Sequence, residues 1–312
     1  MKLKKLLLAF ILAFVAIFMA ACKDNPEKEV EEITLIAPTG TPSLIISKAI
    51  VERTKVDYEI VQGADALKAA FIKGEKDIIV APVNLGALML ASNETFNYEM
   101  VNVIVWCNYY VASKTEISSF EELDGKDVVV FGQNSTPDVV FRSLVAHYEI
   151  TPNVTYVASV ADANGMLLSG KADIIVTAEP ALTVLLTKGD FNVLSLKDAW
   201  SDMVGGDFDV PQAAVFVNKN SKEKCKSFLE KLVKDINEVK DNKEAVVEAA
   251  KSIDSNLTNP NNLYVDALDR CNYKIYDNQK ESIEKYFQKV IDLGLGKTVG
   301  GKLPDEAFYY SK

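Results

Sequence analysis

Two short runs carry the side chains needed to hold a small ligand by hydrogen bonds. Thr39-Gly40-Thr41-Pro42 and Asn134-Ser135-Thr136-Pro137 each place hydroxyl or amide groups beside a Thr-Pro pair. Such a pair reads as a helix start, with Thr at the N-cap and Pro at the first helical position. The unpaired N–H groups of a first turn attract an anionic or strongly polar group. Gly40 and Gly132 let a ligand come close to the backbone. Two later turns add Asn84, which can donate and accept, and Glu179, which can accept from an amine or hydroxyl or else cap its own helix. Asp138 favours the dipole of its own helix and disfavours a strongly anionic ligand on that side. Trp106, Tyr109, Tyr110 and Phe208 are rings that either sandwich a ligand or pack in the core. The expected ligand-binding set is therefore Thr39, Gly40, Thr41, Asn84, Tyr109, Asn134, Ser135, Thr136, Glu179 and Phe208.

Groups able to do covalent chemistry are sparse. His147, the single histidine, falls late in the helix opened by Pro137, and no Ser or Cys nucleophile has an evident base beside it. Cys22, Cys107, Cys225 and Cys271 show no paired metal spacing. Cys107 ends an apolar strand and belongs in a core, whereas Cys225 and Cys271 either pair or stay free. The run Gly294-Leu-Gly-Lys-Thr298 lacks the leading glycine of a phosphate loop, since that position is Ile291. The expectation is a binding protein rather than an enzyme, without metal or cofactor. Only Arg53, Arg142 and Arg270 could clamp a carboxylate, which favours a small polar or heteroaromatic solute over a multiply charged one.

The elements that position these residues repeat. Gly74-Glu-Lys-Asp-Ile-Ile-Val80 matches Gly170-Lys-Ala-Asp-Ile-Ile-Val176 at an offset of 96. Ala64-Asp65-Ala66 matches Ala161-Asp162-Ala163 at 97, and Thr41-Pro42 matches Thr136-Pro137 at 95. Each copy reads as strand, Thr-Pro helix, strand, Ala-Asp helix, strand, which gives parallel βαβ units in an open α/β sheet. The predicted strands are 33–37, 58–61 and 77–81 in one copy, and 128–131, 154–157 and 173–177 in the other. Apolar runs at 101–111 and 210–217 cross between copies. Helical spacing over 222–240, 243–252 and 278–293 places the C-terminal part back on the first lobe. The expected fold is α/β, two similar lobes with mostly parallel sheets flanked by helices. Residues 33–106 and 211–312 form lobe one and 107–210 lobe two, joined by a two-stranded hinge around a cleft.

Lys2, Lys4 and Lys5 precede a run without charge, Leu6 to Ala21, that ends in small residues before Cys22. This order of parts is a secretory signal, too short to span a bilayer. Residues 22–32 then read as a flexible tether. The chain carries a formal −10, and −13 once the three lysines of 1–21 are lost. So acidic a protein lacks the basic charge that nucleic-acid binding requires.

Met19-Ala20-Ala21-Cys22 resembles a bacterial lipobox, with Met where Leu is usual, which implies lipidation at Cys22 and an extracytoplasmic, membrane-tethered protein. The run from Asp124-Gly-Lys-Asp-Val-Val-Val through Ser135-Thr-Pro-Asp-Val-Val-Phe-Arg to Gly170-Lys-Ala-Asp-Ile-Ile-Val-Thr-Ala-Glu-Pro-Ala-Leu resembles type II solute-binding proteins. The nearest group is the one that binds nitrate, sulfonates, taurine and thiamine-pyrimidine precursors. That resemblance implies a monomer that hands a solute to the permease and ATPase subunits of an ATP-driven (ABC) importer. An extracytoplasmic enzyme or a sensory lipoprotein on the same fold are the alternatives. The cysteine-rich motif of the family's pyrimidine-synthesising enzymes is absent.

Overall fold

The computed structural model describes residues 31–53 and 55–311. The secretory signal, Cys22 and nearly all of the tether lie outside these residues.

Two five-stranded sheets are built to one plan. The first has the order β2-β1-β3-β10-β4, with β1 Ile33–Pro38, β2 Val56–Val61, β3 Ile78–Pro82, β4 Tyr98–Trp106 and β10 Pro211–Asn218. The second has the order β7-β6-β8-β5-β9, with β5 Tyr109–Ser113, β6 Asp127–Phe131, β7 Asn153–Val157, β8 Ile174–Ala178 and β9 Asn192–Ser195. In each sheet three strands pair parallel and the fourth is antiparallel to both its neighbours. The fifth strand therefore runs with the first three, and both sheets are mostly parallel, as the repeat implied. The antiparallel strand is exchanged: β4 of the first sheet leads directly to β5 of the second, and β10 returns after the second sheet is complete.

The strands are apolar on both faces because helices cover both. Ile78 to Ala81 and Ile175 to Val176 are wholly buried. Helices α1 (Thr41–Val51), α2 (Asp65–Lys73) and α3 (Val83–Ser92) follow β1, β2 and β3. Their counterparts α4 (Thr136–His147), α5 (Val160–Leu168) and the short α6 (Ala181–Leu186) follow β6, β7 and β8. Helix α7 (Leu196–Val204) precedes the return of the chain to the first sheet.

The C-terminal part is shared between the two halves. Helices α8 (Lys222–Asn237) and α9 (Lys243–Ile253) pack on α1, with α10 (Asn261–Ala267) against α9. Helix α11 (Gln279–Val290) instead brings Tyr286 against Trp200 of α7, with ring centroids 5.5 Å apart, and the segment after it touches α3 and α4. One apolar core thus runs from Phe71, Tyr98 and Phe216 on the first sheet to Phe120, Phe141 and Trp200 on the second. Separate clusters fill the other face of each sheet. Cys107, Cys225 and Cys271 are buried free thiols, so Cys225 and Cys271 do not pair. No helix among the described residues is long and apolar enough to cross a membrane.

Candidate functional site

A cavity of about 420 Å³ lies where the carboxyl ends of the two sheets face each other. Open α/β sheets bind ligands at this end of the strands. The turn from β1 into α1 contributes Pro38 to Pro42, and the turn from β6 into α4 contributes Phe131, Gly132, Ser135 and Pro137. The turn from β8 adds Ala178 to Ala181, and the exchanged strands add Tyr109, Gln212 and Ala213. Thr39, Gly40, Thr41, Tyr109, Ser135 and Glu179 of the sequence-derived set therefore line it. Burial pushes the Tyr109 phenol well above its ordinary value, so it remains a neutral hydroxyl.

Asn84, Asn134, Thr136 and Phe208 do not line the cavity. Phe208 packs beside Trp200, with centroids 6.1 Å apart. Trp106 is likewise core, its ring 4.8 Å from Tyr276 and its Nε1 donating to the Lys274 carbonyl at 2.8 Å. Asn134 takes up a left-handed backbone with φ of 62° and donates its N–H to Asp138 Oδ2 at 2.7 Å. Asn84 and Thr136 are fully buried and bond to each other: Thr136 Oγ1 donates to Asn84 Oδ1 at 3.0 Å, and Asn84 Nδ2 donates to the Asn134 carbonyl at 3.1 Å.

The threonines of the two Thr-Pro pairs are not caps. Gly40 and Ser135 occupy the cap positions, without a side-chain cap bond, and each Thr opens its helix. The reason lies in the other half of the molecule. Thr41 Oγ1 lies 2.9 Å from the Glu179 carbonyl oxygen, just as Thr136 Oγ1 reaches Asn84. Thr41 and Thr136 are 95 residues apart, and so are Asn84 and Glu179. The repeat thus makes a similar contact twice: each half's Thr-Pro turn bonds the third-strand turn of the other half, at the Glu179 backbone carbonyl in one case and the Asn84 side-chain oxygen in the other. Asn108, at the first strand exchange, supports the arrangement by donating Nδ2 to Thr41 Oγ1 at 2.9 Å.

Glu179 has both carboxylate oxygens occupied. Oε2 accepts from the Thr183 N–H at 3.2 Å and hydroxyl at 2.7 Å, so the helix-capping reading holds. Oε1 accepts from Arg270 Nε at 2.6 Å, which ties the second sheet to the C-terminal part of the chain. Arg142 is spent on Asp138 at 2.9 Å.

Several lining residues had no signal in the reading of motifs. Gln212 sits on a strand that looked wholly apolar. Gln62, Asn256, Thr258, Asn259 and Tyr264 also line the cavity, and the last four come from the C-terminal part, which has no repeat copy. Ser159 was legible in principle. It accepts from Asp162 N–H at 3.2 Å while Asp162 accepts from the Ser159 N–H, a capping box written in the sequence as Ser-x-x-Asp. Among the described residues no cluster of three or more His, Cys, Asp or Glu is placed to hold a metal.

Replacing Asn84 by Ala is expected to lower stability by about 2 kcal/mol, since the buried Thr136 hydroxyl loses its best partner. Ligand affinity falls with it although Asn84 lies off the cavity. Thermal melting and titration calorimetry check both effects.

No curated protein sequence matches this chain. Solved structures share its fold. An ABC transporter structure from Parabacteroides distasonis superposes with a TM-score of 0.73 at 21% identity, over 90% of this chain and 99% of that one. The periplasmic aliphatic sulphonate binding protein SsuA of Escherichia coli gives 0.68 at 14% identity, over 90% and 92%. The periplasmic nitrate-binding protein NrtA of Synechocystis PCC 6803 gives 0.62 at 12%, over 87% and 85%. The fold is thus that of periplasmic binding proteins. A family model described as menaquinone biosynthesis matches residues 98–291, from β4 across the whole second sheet and back through β10 to the end of α11, and the chain belongs to that family.

Proposed function

We propose that the protein is an extracytoplasmic receptor. Anchored through a lipid on Cys22, it captures a small polar or heteroaromatic solute and passes it, as a monomer, to the permease and ATPase of an ABC importer. The observation that carries this reading is the cavity between the carboxyl ends of two sheets that exchange strands. Residues 33–106 with 211–312 and residues 107–210 are the bodies that would open and close around it. Contacts between them include the two Thr-to-turn bonds and the Arg270–Glu179 pair, beside the packing of Tyr286 on Trp200. The basic, apolar, small-residue order before Cys22 supports export and tethering. Tethering raises the local receptor concentration at a membrane importer.

The family match favours a second reading, an extracytoplasmic enzyme that acts on a menaquinone precursor in the same cavity. The chemistry of the cavity gives it less support. Glu179, the lining carboxylate, is already capped and ion-paired.

A melting screen across sulfonates, amino acids, pyrimidines and aromatic acids tests the receptor reading. A cognate solute at 100 times its Kd adds about 2.7 kcal/mol to stability. Silence across a broad panel contradicts it.

A further inference from the structure

We infer that the cavity selects an uncharged solute bearing a carbonyl-type acceptor and rejects oxyanions, an inference that rests on the receptor reading above. Several helices begin on the cavity wall, and α2 carries Asp65 in its own first turn. Open helix starts attract anions. Those of α1, α4 and α5 each already hold a hydrogen-bonded carboxylate of the protein.

At α1 the carboxylate is that of Asp254. Its Oδ2 accepts from Thr39 Oγ1 at 2.7 Å and Ser43 Oγ at 2.6 Å, and its Oδ1 from Asn256 N–H and Nδ2, both at 3.0 Å. Asp254 is fully buried, and among the described residues it has no cationic partner. At α4 Asp138, also fully buried, accepts from the Asn134 N–H and is balanced by Arg142. At α5 Asp162 closes the capping box with Ser159. These three starts are therefore answered from within, and Asp254 places a carboxylate with no cationic partner among the described residues behind Thr39. Among the described residues no Lys, Arg or His lines the cavity to offset it.

What the cavity still offers is a neutral donor. Gln212, 8% exposed, lines it from β10. Gln212 Oε1 is taken by the Asn108 N–H at 3.3 Å, whereas Nε2 has no partner among the described residues. An accessible amide N–H₂ on a side chain otherwise this buried calls for an acceptor, and an uncharged one avoids the repulsion from Asp254. The rings of Tyr109, Phe131 and Tyr264 give a planar body apolar surface to lie against. An amide, lactam or aryl ketone meets these requirements. A carboxylate, sulfonate or nitrate does not.

The test is calorimetry and melting of the purified protein with matched pairs: nicotinamide and nicotinate, benzamide and benzoate, uracil and orotate, with methanesulfonate and sodium nitrate alongside. The uncharged member of at least one pair should bind at least about tenfold more tightly than its acid, the equivalent of one favourable hydrogen bond without opposing charge. Gln212→Glu, which keeps the shape but replaces the donor, should weaken that solute about tenfold, read at a temperature well below the melting point of the variant, which the new buried carboxylate lowers. Asp254→Asn should narrow the gap between amide and acid. Saturable binding of an acid, methanesulfonate or nitrate as tight as the uncharged partner overturns the charge inference and leaves the receptor reading standing. Silence from every compound here and in the wider panel overturns the receptor reading, and this inference with it.

Discussion

Arg270→Ala should lower stability by about 3 kcal/mol and loosen the two halves. The Glu179 side chain is 0% exposed, so removing the guanidinium strands a buried carboxylate with only the Thr183 groups to satisfy it. Breaking a buried pair by deleting one partner costs about 3–5 kcal/mol. The Arg270 side chain is 44% exposed, and water will replace part of what is lost, which sets the lower end of that range. Where the loss falls matters more than its size. Glu179 follows β8 of the second sheet, and Arg270 lies in the C-terminal part beyond α10. The contact is an ion pair among the polar ties between the halves, so the substitution weighs on their closure. Small-angle scattering should show a larger radius of gyration, and a solute that needs the closed form should bind up to about a hundredfold more weakly. Arg270→Ala combined with Glu179→Ala should recover part of the stability, because no unpaired charge is left behind. An unchanged radius and affinity in Arg270→Ala would show that the pair does not govern closure.

Phe216→Ala should cost about 3–5 kcal/mol, the range for deleting a large buried aromatic. Phe216 is 0% exposed on β10, edge-on to Phe71 at 5.2 Å and to Phe308 at 5.9 Å. The fit around it is close: a Cβ built on Gly86 of α3 would lie 2.2 Å from the Phe216 ring. Backbone on one side and rings on the other cannot collapse into the space vacated, so the cavity term is added to the transfer term. A domain holds only about 5–15 kcal/mol in total, so this one change removes much of the margin. Because β10 also carries Gln212 into the cavity, binding should fail in parallel with the melting temperature. Denaturant unfolding measures the loss, and a cost under about 1 kcal/mol would mean that Phe71 and Phe308 close the gap.

The fold was legible because the sequence states it twice. The Gly-x-x-Asp-Ile-Ile-Val copies and the paired Thr-Pro starts fall at offsets of 95 and 96, and they became β3 with β8 and α1 with α4. Half of the site was legible by the same logic, since ligands collect at strand ends and the strand ends could be named. What stayed hidden is where a hydroxyl points once two copies face each other. Thr41 and Thr136 look like caps from local sequence, yet their partners are 138 and 52 residues away, and only tertiary geometry decides between the two fates. Asn84 had the right chemistry for a ligand and was taken by Thr136 of the other half. Asn256, Thr258 and Asn259 belong to a part with no second copy to betray it. Asp254 could not be recognised either, because nothing near it in the chain shows that it answers the start of α1, more than two hundred residues earlier.

The central claim is that the cavity captures a solute and releases it unaltered. Its most direct test is to incubate the purified protein with a solute that raises its melting temperature and then to quantify that solute by mass spectrometry over many binding lifetimes. The receptor account predicts stoichiometric binding and full recovery of the same molecule. Time-dependent conversion of the bound solute into a product, proportional to protein concentration, would contradict it and establish the enzyme reading instead.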